Sequence, residues 1–296
     1  MNVMRFLVVG ALGQLGTELR QHLGGAGSSA TCIDRDECDI TSPEEVNAFV
    51  SAERPDVIIN CAAWTNVDGA ETAPGPCRAV NVEGPRNLAR AARECEAHFI
   101  HVSTDFVFCN SNDADRLETD IPQPRGVYGT TKWEGEQAVR EEYDAGSTIV
   151  RTSWLFGQDG PNFVLTMLRL AAERSELRIV ADQWGSPTWT GSLAPALIRI
   201  AEKHYVGTFH LSNRGKTNWA DFARAIFRAA GSTCLVTDIT TEEYGAPAPR
   251  PQSSYLADEA WRACGEQSLP SWQDALHAYL VERNVVVGSP PVPGRV

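Results

Sequence analysis

Through residue 157 the chain alternates two kinds of segment. Apolar runs rich in β-branched residues, RFLVVG, ATCID, VIINCAA, HFIHVSTDFVF and STIVRTSWLFG, are separated by TELRQHL, SPEEVNAFVSAE, NVEGPRNLARAARECE and TTKWEGEQAVREEY, which read as helices. A near-continuous apolar run is the pattern of a strand buried on both faces, and parallel strands need crossover helices to cover those faces. The repetition predicts an α/β fold: a doubly wound parallel sheet with right-handed crossovers. SPEE at Ser42 to Glu45 supplies an N-cap, a proline at the first helical position and a glutamate placed to close a capping box.

Beyond Phe156 the rhythm is less regular. NFVLTMLRLAAER, SLAPALIRIAEKH, NWADFARAIFRAA and SWQDALHAYLVE read as helices, RIVAD and GTFHLSN as strands, and GAPAPRPQSS as a proline-rich loop. The expected organisation is a nucleotide-binding domain made of 1–157 and 188–213, a smaller, sequence-discontinuous C-terminal substrate domain made of 158–187 and 214–284, and a tail over 285–296.

Hydrophobic residues make up 43% and charged residues 22% of the 296, which excludes the disorder-prone classes. A formal net charge of −12 argues against a sequence-independent nucleic-acid binder, because phosphate neutralisation needs a basic surface. Eight cysteines lie without any Cys-x-x-Cys pair or Cys/His cluster, so no metal site and no disulfide framework are expected. The N-terminal apolar run is too short for a signal segment, and no stretch has the length of a membrane span. The expected address is the cytoplasm, with no membrane partner.

GALGQLG follows the first strand directly and leads into a helix, with Gly10, Gly13 and Gly16 spaced by three. In that context the backbone amides around Gln14 and Leu15, at the helix N-terminus, face a dinucleotide pyrophosphate. The fold is therefore Rossmann-like. Asp34, 18 positions beyond Gly16, stands where a carboxylate accepts from the adenine ribose. Arg35 follows it. A carboxylate repels a 2′-phosphate and a guanidinium attracts one, so the pair leaves NADPH and NADH both open. Asp39 and Ile40 flank the adenine, or Asp39 is only a helix cap. Ala62 and Ala63 are small enough for close approach of the cofactor.

Tyr128 and Lys132 are four positions apart at a helix start, so they share a face with β-carbons about 5–6 Å apart. A nearby ammonium favours phenolate. Ser103 and Thr104 end the fourth strand at the carboxyl edge of the sheet, where a hydroxyl can hold a carbonyl oxygen beside the phenol.

With these motifs the sequence resembles the extended short-chain dehydrogenase/reductases, and within them the dTDP-4-dehydrorhamnose reductase family. The resemblance runs to about residue 283 and rests on GALGQLG, DIT, VIINCAAWTNVDGAE, AVN, STDFVF, VYGTTKWEGE, RTSWLFG, ADQWGSPTWT, FHLSN, RPQSSYL and LPSW. It implies reduction of the 4-keto group of a nucleotide-activated 6-deoxyhexose with NADPH, or NADH, as cofactor. Tyr128 would donate the proton, Lys132 would hold the nicotinamide ribose and lower the phenol pKa, and Thr104 would bond the carbonyl. Thr65, Val67, Asp68 and Asp105 would lie near the substrate, Trp154 would wall the deoxysugar, and Arg250 would meet the diphosphate. The competing local readings are a core Trp154, a capping Asp68 and a solvated Arg250. The expected partners are a nucleotide-sugar and a second copy of the chain.

Two departures stand out. The family motif reads STDYVFDG, whereas here Phe106 lacks the phenol hydroxyl and Cys109-Asn110 replace the acidic turn ahead of SNDADR. Two rival functions share the fold. A dehydratase needs Asp-Glu after the strand-end threonine, and this chain has Asp105-Phe106; an epimerase retains its nicotinamide through the cycle. A cofactor-binding regulatory subunit would have no need of Thr104, Tyr128 and Lys132 together.

Overall fold

The computed structural model describes residues 3–25, 29–109 and 114–285. Almost all of the expected tail, together with Asn110 and the start of the polar insert, lies outside them. The first half runs β1 (Arg5–Val9), α1 (Gln14–Gly25), β2 (Ser29–Ile33), α2 (Pro43–Glu53), β3 (Val57–Asn60), α3 (Val67–Thr72), α4 (Pro74–Arg78), α5 (Gly84–Glu94), β4 (His98–Thr104), α6 (Gly126–Tyr143) and β5 (Ser147–Thr152). The second half runs β6 (Leu155–Phe156), α7 (Phe163–Glu173), β7 (Glu176–Val180), β8 (Trp184–Gly185), β9 (Thr188–Trp189), α8 (Thr190–Lys203), β10 (Gly207–His210), β11 (Thr217–Asn218), α9 (Trp219–Ala229), β12 (Leu235–Ile239), α10 (Thr241–Tyr244), α11 (Glu259–Ala263) and α12 (Trp272–Glu282).

Six strands form one sheet in the order β10-β5-β4-β3-β1-β2, every pair parallel. The chain steps outward from β1 to β2 and then crosses to β3 on the other side. Beyond the carboxyl ends of β1 and β3 the two crossovers therefore diverge and leave a crevice. Each face carries an apolar cluster. One cluster packs Leu15, Leu19 and Leu23 of α1 and Leu193, Leu197 and Ile200 of α8 on Phe6, Val8 and Ile59; the other packs Val46, Val50, Leu88 and Ala92 on Leu7, Val9, Ile58 and Phe99. Each fully buried Leu, Ile, Val or Phe side chain adds about 1.5–3 kcal/mol.

A third cluster, Phe156, Val164, Met167, Ile179, Phe222, Ile226, Phe227, Trp272 and Tyr279, is built by the second half of the chain, where the smaller lobe was expected. Trp261 and Leu269 come from the stretch assigned by sequence to that lobe, yet they pack with the cluster under β1.

Element ends and caps differ from the sequence expectation at several points: STIVRTSWLFG is two strands, β5 and β6, and α6 begins at Gly126. The strand HFIHVSTDFVF stops at Thr104, because Thr104 Oγ1 accepts the Phe106 amide at 3.2 Å and turns Asp105–Val107 into a 3₁₀ turn. Ser42 does cap α2, accepting Glu45 N at 3.3 Å, but the Glu45 carboxylate takes Asp39 N at 3.0 Å, so the box is not closed. The closed box is Thr240 with Glu243. The segment before α5 is a π-helical turn, Ala79–Glu83, in place of a continuous α-helix. No helix among the described residues is long and apolar enough to cross a membrane.

Candidate active site

The glycine-rich turn is a close-packed backbone crossing. Gly10 has φ +78, and a β-carbon on it would sit 2.6 Å from Ala62 N. A β-carbon on Gly16 would collide with the Gly10 carbonyl, so strand, turn and helix approach at glycine distance. The first amides of α1, at Gln14 and Leu15, have no intrahelical acceptor, and its first turn has no acidic side chain. Gln14 Oε1 is buried without a partner. This cradle suits a bound phosphate group. Asp34 follows β2 and accepts Leu12 N at 3.0 Å and Arg35 N at 2.9 Å. The Arg35 guanidinium is 82% exposed beside it, 3.5 Å from Asp39. Asp39 accepts both the amide (2.9 Å) and the hydroxyl (2.8 Å) of Thr41, so it shapes the turn before α2 and is not the cap itself. Ile40 is buried, with its side chain against Gly84 and its carbonyl held by Asn87 at 3.0 Å. Ala62 and Ala63 are half-buried at the end of β3.

Thr104 and Tyr128 meet. Thr104 Oγ1 donates to Asp105 Oδ1 at 3.1 Å and lies within hydrogen-bonding reach of the Tyr128 phenol oxygen. The Tyr128 ring packs with Ala70, Cys77 and Trp64 and stands edge-on to Phe106, with centroids 5.2 Å apart. Burial pushes the phenol up to about 12, against the pull of the Thr104 hydrogen bond. The expected lowering by Lys132 is not what the geometry gives, because the Lys132 ammonium donates to the Val102 carbonyl at 2.8 Å. Burial pulls Lys132 down to about 8, with Glu136 the main opposing influence. Burial likewise pushes the Asp105 carboxyl up to about 6, opposed by Ser254, whose hydroxyl donates to Oδ2 at 2.5 Å.

On the substrate side, Asp68 and Arg250 lie 182 positions apart and form an ion pair, Arg250 Nη2 reaching both carboxylate oxygens at 2.9 Å. The cap of α3 is Asn66, which accepts Gly69 N at 2.9 Å, and not Asp68. Thr65 is exposed and Val67 half-buried at this helix start. Trp154 has φ +49 and stacks on Trp219, with centroids 3.6 Å apart and planes 6° apart. It is half-buried and backed by Gly185, where a β-carbon would lie 2.6 Å from the indole.

Sequence reading missed Ser254, Trp219 and the partners of Asn81. Asn81 takes Trp64 N at 2.8 Å and reaches Thr131 at 3.2 Å, tying the loop after β3 to α6. The motif AVN was a signal for Asn81; nothing in the sequence distinguishes Trp219 from the other aromatic residues of α9. The eight cysteines are free thiols, and the described residues contain no group of three or more His, Cys, Asp or Glu able to hold a metal.

The chain matches the family model described as the RmlD substrate binding domain over residues 4–285. It is 42% identical over 278 residues to a dTDP-4-dehydrorhamnose reductase of Streptomyces griseus, covering 92% of this chain and 91% of that protein. It is 37% identical over 273 residues to a dTDP-4-keto-6-deoxy-D-glucose reductase of Streptomyces niveus, covering 92% and 95%. Among solved structures, dTDP-4-dehydrorhamnose reductase of Bacillus anthracis in complex with NADP superposes with a TM-score of 0.93 at 38% identity, covering 95% of this chain and all of that one.

Proposed function

Because the chain belongs to the family described as the RmlD substrate binding domain, we propose that it is an NADPH-dependent reductase of dTDP-4-dehydrorhamnose, acting in the cytoplasm. The observation that carries this reading is the meeting of Thr104 and Tyr128 beside a buried Lys132, at the sheet edge that the glycine cradle opens onto. Relatives named as such reductases, and one solved with NADP, support the substrate and the cofactor.

Gly10, Gly13, Gln14, Leu15 and Gly16 would hold the pyrophosphate, Asp34, Arg35 and Asp39 the adenosine end, and Ala62, Ala63, Tyr128 and Lys132 the nicotinamide end. The exposed Arg35 guanidinium favours a 2′-phosphate and hence NADPH. When bound, the reduced nicotinamide supplies hydride to the ketone carbon. Thr104 turns its hydroxyl from Asp105 to the ketone oxygen, and Tyr128 gives its proton to that oxygen. A phenol near 12 is fully protonated at neutral pH, so it stands loaded for this task. Lys132, one helical turn after Tyr128 and held at the Val102 carbonyl, would meet the nicotinamide ribose.

Arg250 would leave Asp68 for the substrate diphosphate, with Thr65, Val67 and Asp105 along the sugar and Trp154 on its apolar side. In this reading 1–157 with 188–213 binds the nucleotide cofactor, and 158–187 with 214–284 binds the sugar nucleotide.

Tyr128→Phe is expected to abolish oxidation of NADPH by dTDP-4-dehydrorhamnose with NADPH affinity nearly unchanged, followed by nicotinamide absorbance and by titration. Equal loss of both would count against the assignment. Phe106, without a hydroxyl to offer the sugar, favours one second reading, a related dTDP-4-keto-6-deoxyhexose as substrate. The relative named for that activity fits it, and comparing kcat/KM for the two keto sugars decides between them.

A further inference from the structure

Behind the reacting groups lies a row of polar side chains that the reaction does not use. Ser103 of β4, Arg151 of β5 and His210 of β10 are register partners on three adjacent strands, so their side chains leave the same face of the sheet at one level. Glu136 of α6 closes the row. Ser103 Oγ donates to Glu136 Oε1 at 2.6 Å, and Arg151 donates through Nε at 3.0 Å and Nη2 at 2.7 Å. Ser103 is 3% exposed, Glu136 0%, Arg151 1% and His210 0%. His210 Nδ1 faces two carbonyls, Arg116 O and Ala257 O, so it carries the proton and Nε2 takes Arg151 Nη1 at 3.3 Å.

The place of this row matters more than its charge. Glu136 stands one helical turn after Lys132 and two after Tyr128. Ser103 lies between Val102, whose carbonyl holds Lys132, and Thr104. One carboxylate thus joins the helix that bears phenol and ammonium to the strand that bears the hydroxyl. Stability alone is a weak reason to bury such a pair, since well-packed apolar residues of similar volume often do as well.

We infer that Glu136, clamped by Ser103 and Arg151, is a positioning residue for the reduction, fixing α6 against β4 so that Tyr128 meets Thr104 while Lys132 is held beside them at the Val102 carbonyl. The inference rests on the reading that these three are the reacting groups. The titratable groups facing Lys132 are Glu136 on its own helix, Cys61 after β3, Cys77 of α4 and His101 of β4, with Tyr128 one turn before it. Arg151 of β5 faces Glu136. Of these, Glu136 is the main one that keeps Lys132 charged against burial.

The test is the double variant Glu136→Gln, Arg151→Met, which removes both charges together and leaves neither buried alone. Its kcat is expected to fall by about a hundredfold, as for a small misplacement of reacting groups. The basic limb of its pH profile should move towards acid by about one pH unit, since Lys132 loses its carboxylate. Ser103→Ala, which keeps the ion pair, should lower kcat by about tenfold without moving the limb, and Ser103→Thr should restore the rate. A folded double variant with wild-type kcat and an unmoved limb would overturn the proposal; if it does not fold, wild-type kcat in Ser103→Ala does so. Tyr128→Phe run in parallel separates the two levels. Turnover in that variant sinks the active-site reading, whereas its inactivity beside a full-rate double variant sinks only the positioning role.

Discussion

At Asp105 two demands on one residue conflict. Its carboxylate must take hydrogen bonds from Thr104 and Ser254, and it is 2% exposed, so burial displaces it from 3.8 to about 6. That displacement corresponds to about 3 kcal/mol. Between these values the folded chain keeps a proton that the unfolded chain has lost. The contribution of Asp105 to stability is therefore fully present below about pH 4 and is lost as pH rises through about 6. The unfolding free energy of Asp105→Asn minus that of the wild type, from denaturant titrations, should accordingly become more positive between pH 4 and pH 7.5 by about 2–3 kcal/mol. A difference independent of pH would show that Asp105 titrates alike in both states. Such a residue is legible in sequence only as a strand-end carboxylate; its burial depends on Ser254, 149 positions away. The same holds for Tyr128. The four-residue spacing located the pair, but the direction of the phenol shift is set by burial, which no spacing shows, while the Lys132 ammonium is held at the Val102 carbonyl.

Among elements, the strands and long helices of the first half were readable because buried parallel strands are nearly uniform in hydropathy and their crossover helices are not. The short pieces were not readable. α3, α4, β8, β9 and β11 have from two to six residues, too few for a period to show, and are fixed by caps and tertiary partners. The start of α7 illustrates this. Asn162 is 8% exposed, accepts Leu165 N at 3.0 Å and donates to Gly157 O at 2.9 Å, so one side chain both caps the helix and holds the chain leaving β6. Asn162→Ala should cost about 1–2 kcal/mol, seen as a lower denaturant midpoint at unchanged slope. A midpoint equal to that of the wild type would mean that water replaces both bonds without loss.

For the whole molecule, the proline-rich loop is the seam between the two halves of the chain. Arg250 reaches Asp68 at the start of α3, Ser254 reaches Asp105 after β4, and Ser254 N donates to Trp184 O at 2.9 Å. Removing one such hydroxyl should weaken the hold on sugar nucleotide and not on the dinucleotide. Ser254→Ala is expected to raise KM for the keto sugar by about tenfold, the worth of one hydrogen bond to a charged group, with KM for NADPH unchanged. Equal rises in both would place the seam in the cofactor site as well. The sheet itself carries a consequence for biosynthesis. β5 is covered on one edge by β4, which precedes it, but on the other by β10, residues 207–210. A ribosome must therefore deliver everything from β6 to α8 before that flank is sealed. Until then the nascent polypeptide displays a bare row of amides and carbonyls, the kind of surface that chaperones shield and that stalled fragments use to stick to one another.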